Sequence, residues 1–141
     1  MKHKEKTSIR RALEKRVLAP VAALILAAAF LLGACDKGYE HISQDEAMQI
    51  MEEESDYLIV DVRRPDEFAE GHIEGAINVP NEGIADEMPE ELPDTDQLLL
   101  VYCRTGRRSK EAAEKLAEIG YTNVYEIGGI NTWPGTIVTE D

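Results

Sequence analysis

The stretch that most constrains this chain is Leu98-Leu99-Leu100-Val101-Tyr102-Cys103-Arg104-Thr105-Gly106-Arg107-Arg108-Ser109-Lys110. An apolar run of strand character ends abruptly at a cysteine. A short loop follows, with a glycine, three arginines and two hydroxyls. A helix-forming segment from about Arg107 to Ile119 comes next, with Ala112, Ala113, Leu116 and Ile119 as its inner stripe and Gly120 as its stop. A strand, a thiol-bearing loop and a helix N-terminus therefore follow one another directly. The start of a helix offers unpaired N–H groups and the positive end of its dipole, which suit an anion or a thiolate.

The flanking sequence repeats the alternation of strand and helix. Tyr39–Ile42 reads as a short strand, and Ser43 with Glu46 has the spacing of a capping box at the start of a helix from Gln44 to about Glu53. Tyr57–Val62 is a continuous apolar strand broken only by Asp61, the pattern of a parallel strand covered on both faces. Pro65 suits the first turn of a short helix that Gly71-His72-Ile73 ends. Ala76–Val79 is another short strand. The acidic stretch 81–93 reads as a short helix and loop anchored by Ile84, Met88 and Leu92. Asn123–Ile127 is the last strand, Gly128-Gly129 a turn, and Ile130 to Trp133 a helical turn. The whole pattern predicts an α/β fold with a mainly parallel sheet. Ligands of such sheets bind beyond the carboxyl ends of the strands, and Cys103 sits at such an end.

With 141 residues there is room for one domain, and the first 39 residues are not part of it. Residues 1–34 carry a net charge of +5; taking that from −13 for the chain leaves −18 on residues 35–141. A reversal of sign at one boundary predicts a targeting segment followed by an acidic domain that repels nucleic acid. Lys2 to Arg16 is basic, Val17 to Leu32 is apolar and uncharged, and Gly33-Ala34-Cys35 follows, which is the pattern of a signal peptide over 1–34. Leu32-Gly33-Ala34-Cys35 resembles a bacterial lipoprotein lipobox. The resemblance implies lipidation of Cys35 and a membrane-anchored domain outside the cytoplasm. Residues 35–39 would then form a tether of at most about 17 Å. The alternative is an uncleaved anchor, since Val17 to Cys35 approaches the roughly 20 residues that span a bilayer. With Cys35 lipidated, Cys103 is the one thiol left.

A thiol is a useful nucleophile only as the thiolate, and three features of the loop favour that form. They are the helix N-terminus, the backbone N–H groups of a tight Gly-containing turn, and the fixed charge of Arg104, Arg107 and Arg108. Residues 35–141 have eight Lys and Arg, and four of them fall within 104–110. The plainer reading of those charges is a solvated helix face beside Glu111 and Glu114.

Cys103-Arg104-Thr105-Gly106-Arg107-Arg108-Ser109 resembles the active-site loop of the rhodaneses, a sulfurtransferase family. Asp61-Val62-Arg63, Glu67-Phe68, Gly71-His72-Ile73 and Gly75 through Pro80 resemble the family's upstream signature, and Asn123-Val124 through Gly128-Gly129 to Trp133 its C-terminal one. The match covers residues 40–135, within a domain taken as 40–138. It implies a five-stranded, mainly parallel sheet with helices on both faces. It also implies Cys103 as nucleophile and persulfide carrier, with Arg104, Thr105, Gly106, Arg107, Arg108 and Ser109 around the anionic donor. The partners implied are thiosulfate or a related donor and a cyanide or thiol acceptor, with no metal or organic cofactor. A docking or sulfur-carrier module without turnover is the alternative within the same fold. Cysteine phosphatases place an arginine six residues after the cysteine; here that position is Ser109, so the loop is one residue short of that spacing. Asp61 is expected to pair with an arginine or cap backbone, His72 to bond backbone, and Trp133 to wall a pocket or core.

Overall fold

The structure, a computed structural model, describes residues 38–140. The signal peptide read over 1–34 and Cys35 lie outside those residues. In chain order come β1 (Glu40–His41), α1 (Gln44–Glu53), β2 (Tyr57–Asp61), α2 (Pro65–Glu70), β3 (His72–Ile73), β4 (Ile77–Asn78), a 3-10 turn (Asn81–Gly83), β5 (Leu98–Cys103), α3 (Arg107–Ile119), β6 (Val124–Gly129), a second 3-10 turn (Ile130–Thr132) and β7 (Ile137–Val138). Five strands form one sheet in the order β1-β6-β5-β2-β4, and every neighbouring pair is parallel.

Strand β5 is central, and its alternation sorts the core into two layers. Leu99, Val101 and Cys103 face α3 with Ala112, Ala113 and Leu116, while Leu100 and Tyr102 face the other side with Ala47 of α1 and Ile127. Each layer is apolar because both faces of the sheet are covered. The capping box at α1 forms: the Glu46 N–H donates to Ser43 Oγ at 3.2 Å, and the Ser43 N–H donates to Glu46 Oε2 at 2.8 Å.

Three features depart from the sequence reading. His72–Ile73 does not simply end a helix. It pairs antiparallel with Ile137–Val138, a second small sheet between strands too short to show a periodicity. The helix expected within 81–93 is only the 3-10 turn Asn81–Gly83, and the rest of the segment is loop. Ile84 and Leu92 are buried there, whereas Met88 is half exposed. Gly128-Gly129 is not a free turn but the end of β6. It contains one extra residue relative to β5, since Val101 pairs with Glu126 and Cys103 with Gly129. Gly128 takes that bulge at φ +87°. Tyr39, the start of the strand expected at Tyr39–Ile42 and the last residue of the expected tether, packs against the α3-side core just before β1.

Candidate active site

Cys103 is the last residue of β5, and its residue is 1% exposed. Gly106, at φ +106°, turns the chain into α3 and directs its N–H at Cys103 Sγ, 3.1 Å away. The Ser109 hydroxyl lies 3.5 Å from the same sulfur. As the N-cap, Gly106 has no side chain to satisfy the first N–H groups of α3, so they stay directed at the loop. Burial pushes the Cys103 thiol up, but its hydrogen bond with the Ser109 hydroxyl and those from the backbone of Ser109, Gly106 and Thr105 outweigh it and hold the pKa below the usual thiol value.

The floor of the loop is β6. A Cβ on Gly129 would stand 2.2 Å from the Arg104 carbonyl oxygen and 2.7 Å from Thr105 Cα, so only glycine lets the loop lie against the sheet. The Asn131 N–H donates to that carbonyl at 3.3 Å, and the Gln44 side-chain amide donates to the Gly129 carbonyl at 2.8 Å.

The three arginines have different surroundings. Arg108 makes a bidentate pair with Glu67 of α2, at 2.6 and 2.9 Å. That pair brings the Glu67 carboxyl down to about 2, ahead of the opposing effect of burial. Arg107 pairs with Glu111 one turn on, at 2.9 Å. The Arg104 side chain is exposed and makes no hydrogen bond or ion pair among the described residues. Arg104, Thr105, Arg107 and Arg108 line a depression of about 430 Å³ together with Arg64, Glu67 and Glu82. The structure thus gathers the loop residues singled out from the sequence, but commits two of the arginines to carboxylates.

Asp61 behaves as its position predicted. Arg63 donates to it from Nη2 at 2.7 Å and from Nε, and the Tyr102 hydroxyl donates to its Oδ2 at 2.6 Å while accepting the Ile73 N–H at 3.0 Å. His72 is buried, stacks on Phe68 and places Nδ1 2.9 Å from the Phe68 carbonyl. Trp133 lines a separate depression with Met51, Tyr57, Ile59 and Ile73. Among the described residues no group of three or more His, Cys, Asp or Glu side chains converges as a metal site requires.

Two residues beside the cysteine were missed. Glu126 is a fully buried carboxylate on β6, and His41 of β1 is its neighbour. The signal available was the single charge inside the apolar run Val124-Tyr125-Glu126-Ile127. Glu67, noted only as part of an upstream motif, is the partner of Arg108.

A family model described as "Rhodanese-like domain" matches residues 43–135. Thiosulfate sulfurtransferase PspE of Escherichia coli (strain K12) is 39% identical over 71 residues, 50% of this chain and 68% of that protein. Thiosulfate sulfurtransferase GlpE of Shewanella oneidensis is 38% identical over 96 residues, 67% of this chain and 92% of that protein. Among solved structures, a rhodanese with anions from E. coli superposes with a TM-score of 0.55 at 34% identity, covering 60% of this chain and 99% of that one. A rhodanese-related protein from Thermoplasma volcanium gives 0.61 at 28% identity, covering 72% and 100%.

Proposed function

Because the chain belongs to the rhodanese family and is a sulfurtransferase of that type, we propose that Cys103 carries a sulfane sulfur from an anionic donor such as thiosulfate to a thiophilic acceptor such as cyanide or a thiol. The thiolate Sγ attacks the outer sulfur of the donor. A bond forms between the two sulfurs, the donor's own S–S bond breaks, and its electron pair leaves with sulfite. The negative charge then rests on the outer sulfur of the Cys103 persulfide. Cyanide or a thiolate attacks that sulfur, the new S–S bond breaks, and Cys103 departs as thiolate, so charge balances at each step.

The observation that carries this reading is the Gly106 N–H held 3.1 Å from Sγ at the start of α3. A donor hydrogen bond to a buried sulfur favours its anionic form, and the N–H groups beside it suit the anion transferred. Of the arginines, Arg104 is the one with its charge uncommitted, which suits attraction of the donor; Arg107 and Arg108 add charge already shared with carboxylates. The chain's own residues supply all the groups this cycle uses. Purified wild-type protein given thiosulfate and cyanide is expected to form thiocyanate, and Cys103→Ala to form none. Equal rates from the two proteins would overturn the reading, and absence of any sulfur on wild-type Cys103 would favour a docking module.

The same proposal places the domain outside the cytoplasm, lipidated at Cys35 after removal of residues 1–34. The basic, apolar and small-residue order of that segment supports it. Globomycin is expected to make an unprocessed precursor accumulate; an unchanged product would instead point to an uncleaved anchor.

A further inference from the structure

Glu126 is 0% exposed, and no lysine or arginine pairs with it among the described residues. Its Oε2 lies 2.5 Å from His41 Nδ1, on a ring that is 61% exposed. Its Oε1 accepts the Ser109 hydroxyl at 2.5 Å and the Gly128 N–H at 2.9 Å. The same Ser109 oxygen is 3.5 Å from Cys103 Sγ. A buried carboxylate thus stands one hydroxyl away from the nucleophile. It is also 3.7 Å from where a Cβ of Gly106 would be, so it sits directly under the loop.

We propose that Glu126 is a positioning residue that acts through Ser109 to oppose the Cys103 thiolate and favour its persulfide. This rests on the sulfur-transfer reading above. Ser109 has one proton, with the Gly106 carbonyl oxygen 3.0 Å away and two anionic neighbours once the thiol ionises. The carboxylate is the nearer of the two, so it competes for the hydrogen bond the thiolate would receive. Repulsion between two like charges acts in the same direction. When a sulfur is added from the side of the depression, the charge moves about 2 Å outward along the new S–S bond. Sγ becomes a neutral sulfide, and the competition with Glu126 ends. The carboxylate therefore raises the energy of the thiolate more than that of the persulfide. It makes the empty enzyme the readier sulfur acceptor.

The charged groups around this chain of contacts are few. His41 of β1 faces Glu126, and Arg108 of α3 faces Cys103. Glu67 of α2 holds Arg108, with Glu82 beyond it. A change of charge at Cys103 is therefore expected to reach His41 through Ser109 and Glu126, which stand in contact one after another.

The test is the rate of iodoacetamide alkylation at Cys103 against pH, read by peptide mass spectrometry on the full chain so that Cys35 is counted separately. Glu126→Gln keeps the shape and an acceptor oxygen but removes the charge. Its alkylation midpoint is expected about one pH unit below wild type; an unchanged or higher midpoint overturns the proposal. In a Ser109→Ala background the same substitution is expected to shift the midpoint less, and an equal shift overturns the part given to Ser109. With thiosulfate and sulfite at fixed concentrations, the ratio of persulfide to free thiol is expected to fall severalfold in Glu126→Gln, and an equal or higher ratio overturns the preference for the persulfide. If wild type takes up no sulfur at all, the sulfur-transfer reading fails while the alkylation profile still decides the tuning of the thiol. Wild type alone provides a check that needs no variant to fold. The His41 ring resonances are expected to inflect at the Cys103 midpoint and to lose that inflection once Cys103 is alkylated; a titration without it overturns the coupling.

Discussion

At Gly129 a hydrogen in place of a methyl group decides whether the cysteine loop can form. A Cβ there would overlap Arg104 backbone, which cannot swing aside as a flexible side chain can. Gly129→Ala is expected to leave the fold intact, to displace residues 104 and 105, and to lower turnover on the order of a hundredfold, the cost of about 1 Å of misplacement at a reacting group. Turnover close to wild type would show that the loop tolerates the shift. Glu67 gives a second prediction at this scale. Its folded pKa of about 2 lies below its unfolded value. The pairing with Arg108 is therefore at full strength above the ordinary carboxylate range and is lost as pH falls toward about 2. Glu67→Gln is expected to be less stable than wild type in urea at about pH 7, with the gap closing on acidification; a gap independent of pH would contradict the assignment. Cys103, Gly106 and Ser109 were legible because their spacing lies within one loop. Glu67 and Glu126 were not, because each reaches the loop from another element and only tertiary contact reveals it.

Among the elements, β5 does the organising, since it borders β2 and β6 and delivers Cys103. Its long apolar run and that of β2 were legible as buried parallel strands because each lies against helices on both faces. Strands β3 and β7 were not, being two residues each and defined by their partner rather than by any pattern of their own. Tyr102 links these parts: it belongs to β5, donates to Asp61 at the end of β2 and accepts from Ile73 in β3. Tyr102→Phe keeps the ring but leaves one buried carboxylate oxygen and one N–H without this partner. It is expected to cost about 1–3 kcal/mol in chemical denaturation. A loss within error of zero would show that Asp61 and Ile73 find replacement partners. Burial first, then the bond to Asp61, pushes the Tyr102 phenol well above its usual range, so the hydroxyl keeps its proton throughout any such experiment.

For the molecule as a whole, charge and thiol chemistry point the same way. The −18 carried by residues 35–141 surrounds a loop holding four of their eight cations. The proposed anionic donor is therefore expected to be attracted mainly at the mouth beside Arg104. Cys103 is the free cysteine among the described residues and is buried, so it reacts with what the loop admits. The family and its parallel sheet were legible from several motifs in order along residues 40–135. The state of each arginine was not, since charge counted along a chain does not say which carboxylate folds back against it. The proposed cycle depends on sulfur travelling on Cys103. Intact mass of wild type after thiosulfate, then after cyanide, tests it most directly. A gain of one sulfur atom is expected, which cyanide removes as thiocyanate and which Cys103→Ser never shows. A persistent absence of the adduct in wild type, or the same adduct in Cys103→Ser, would contradict it.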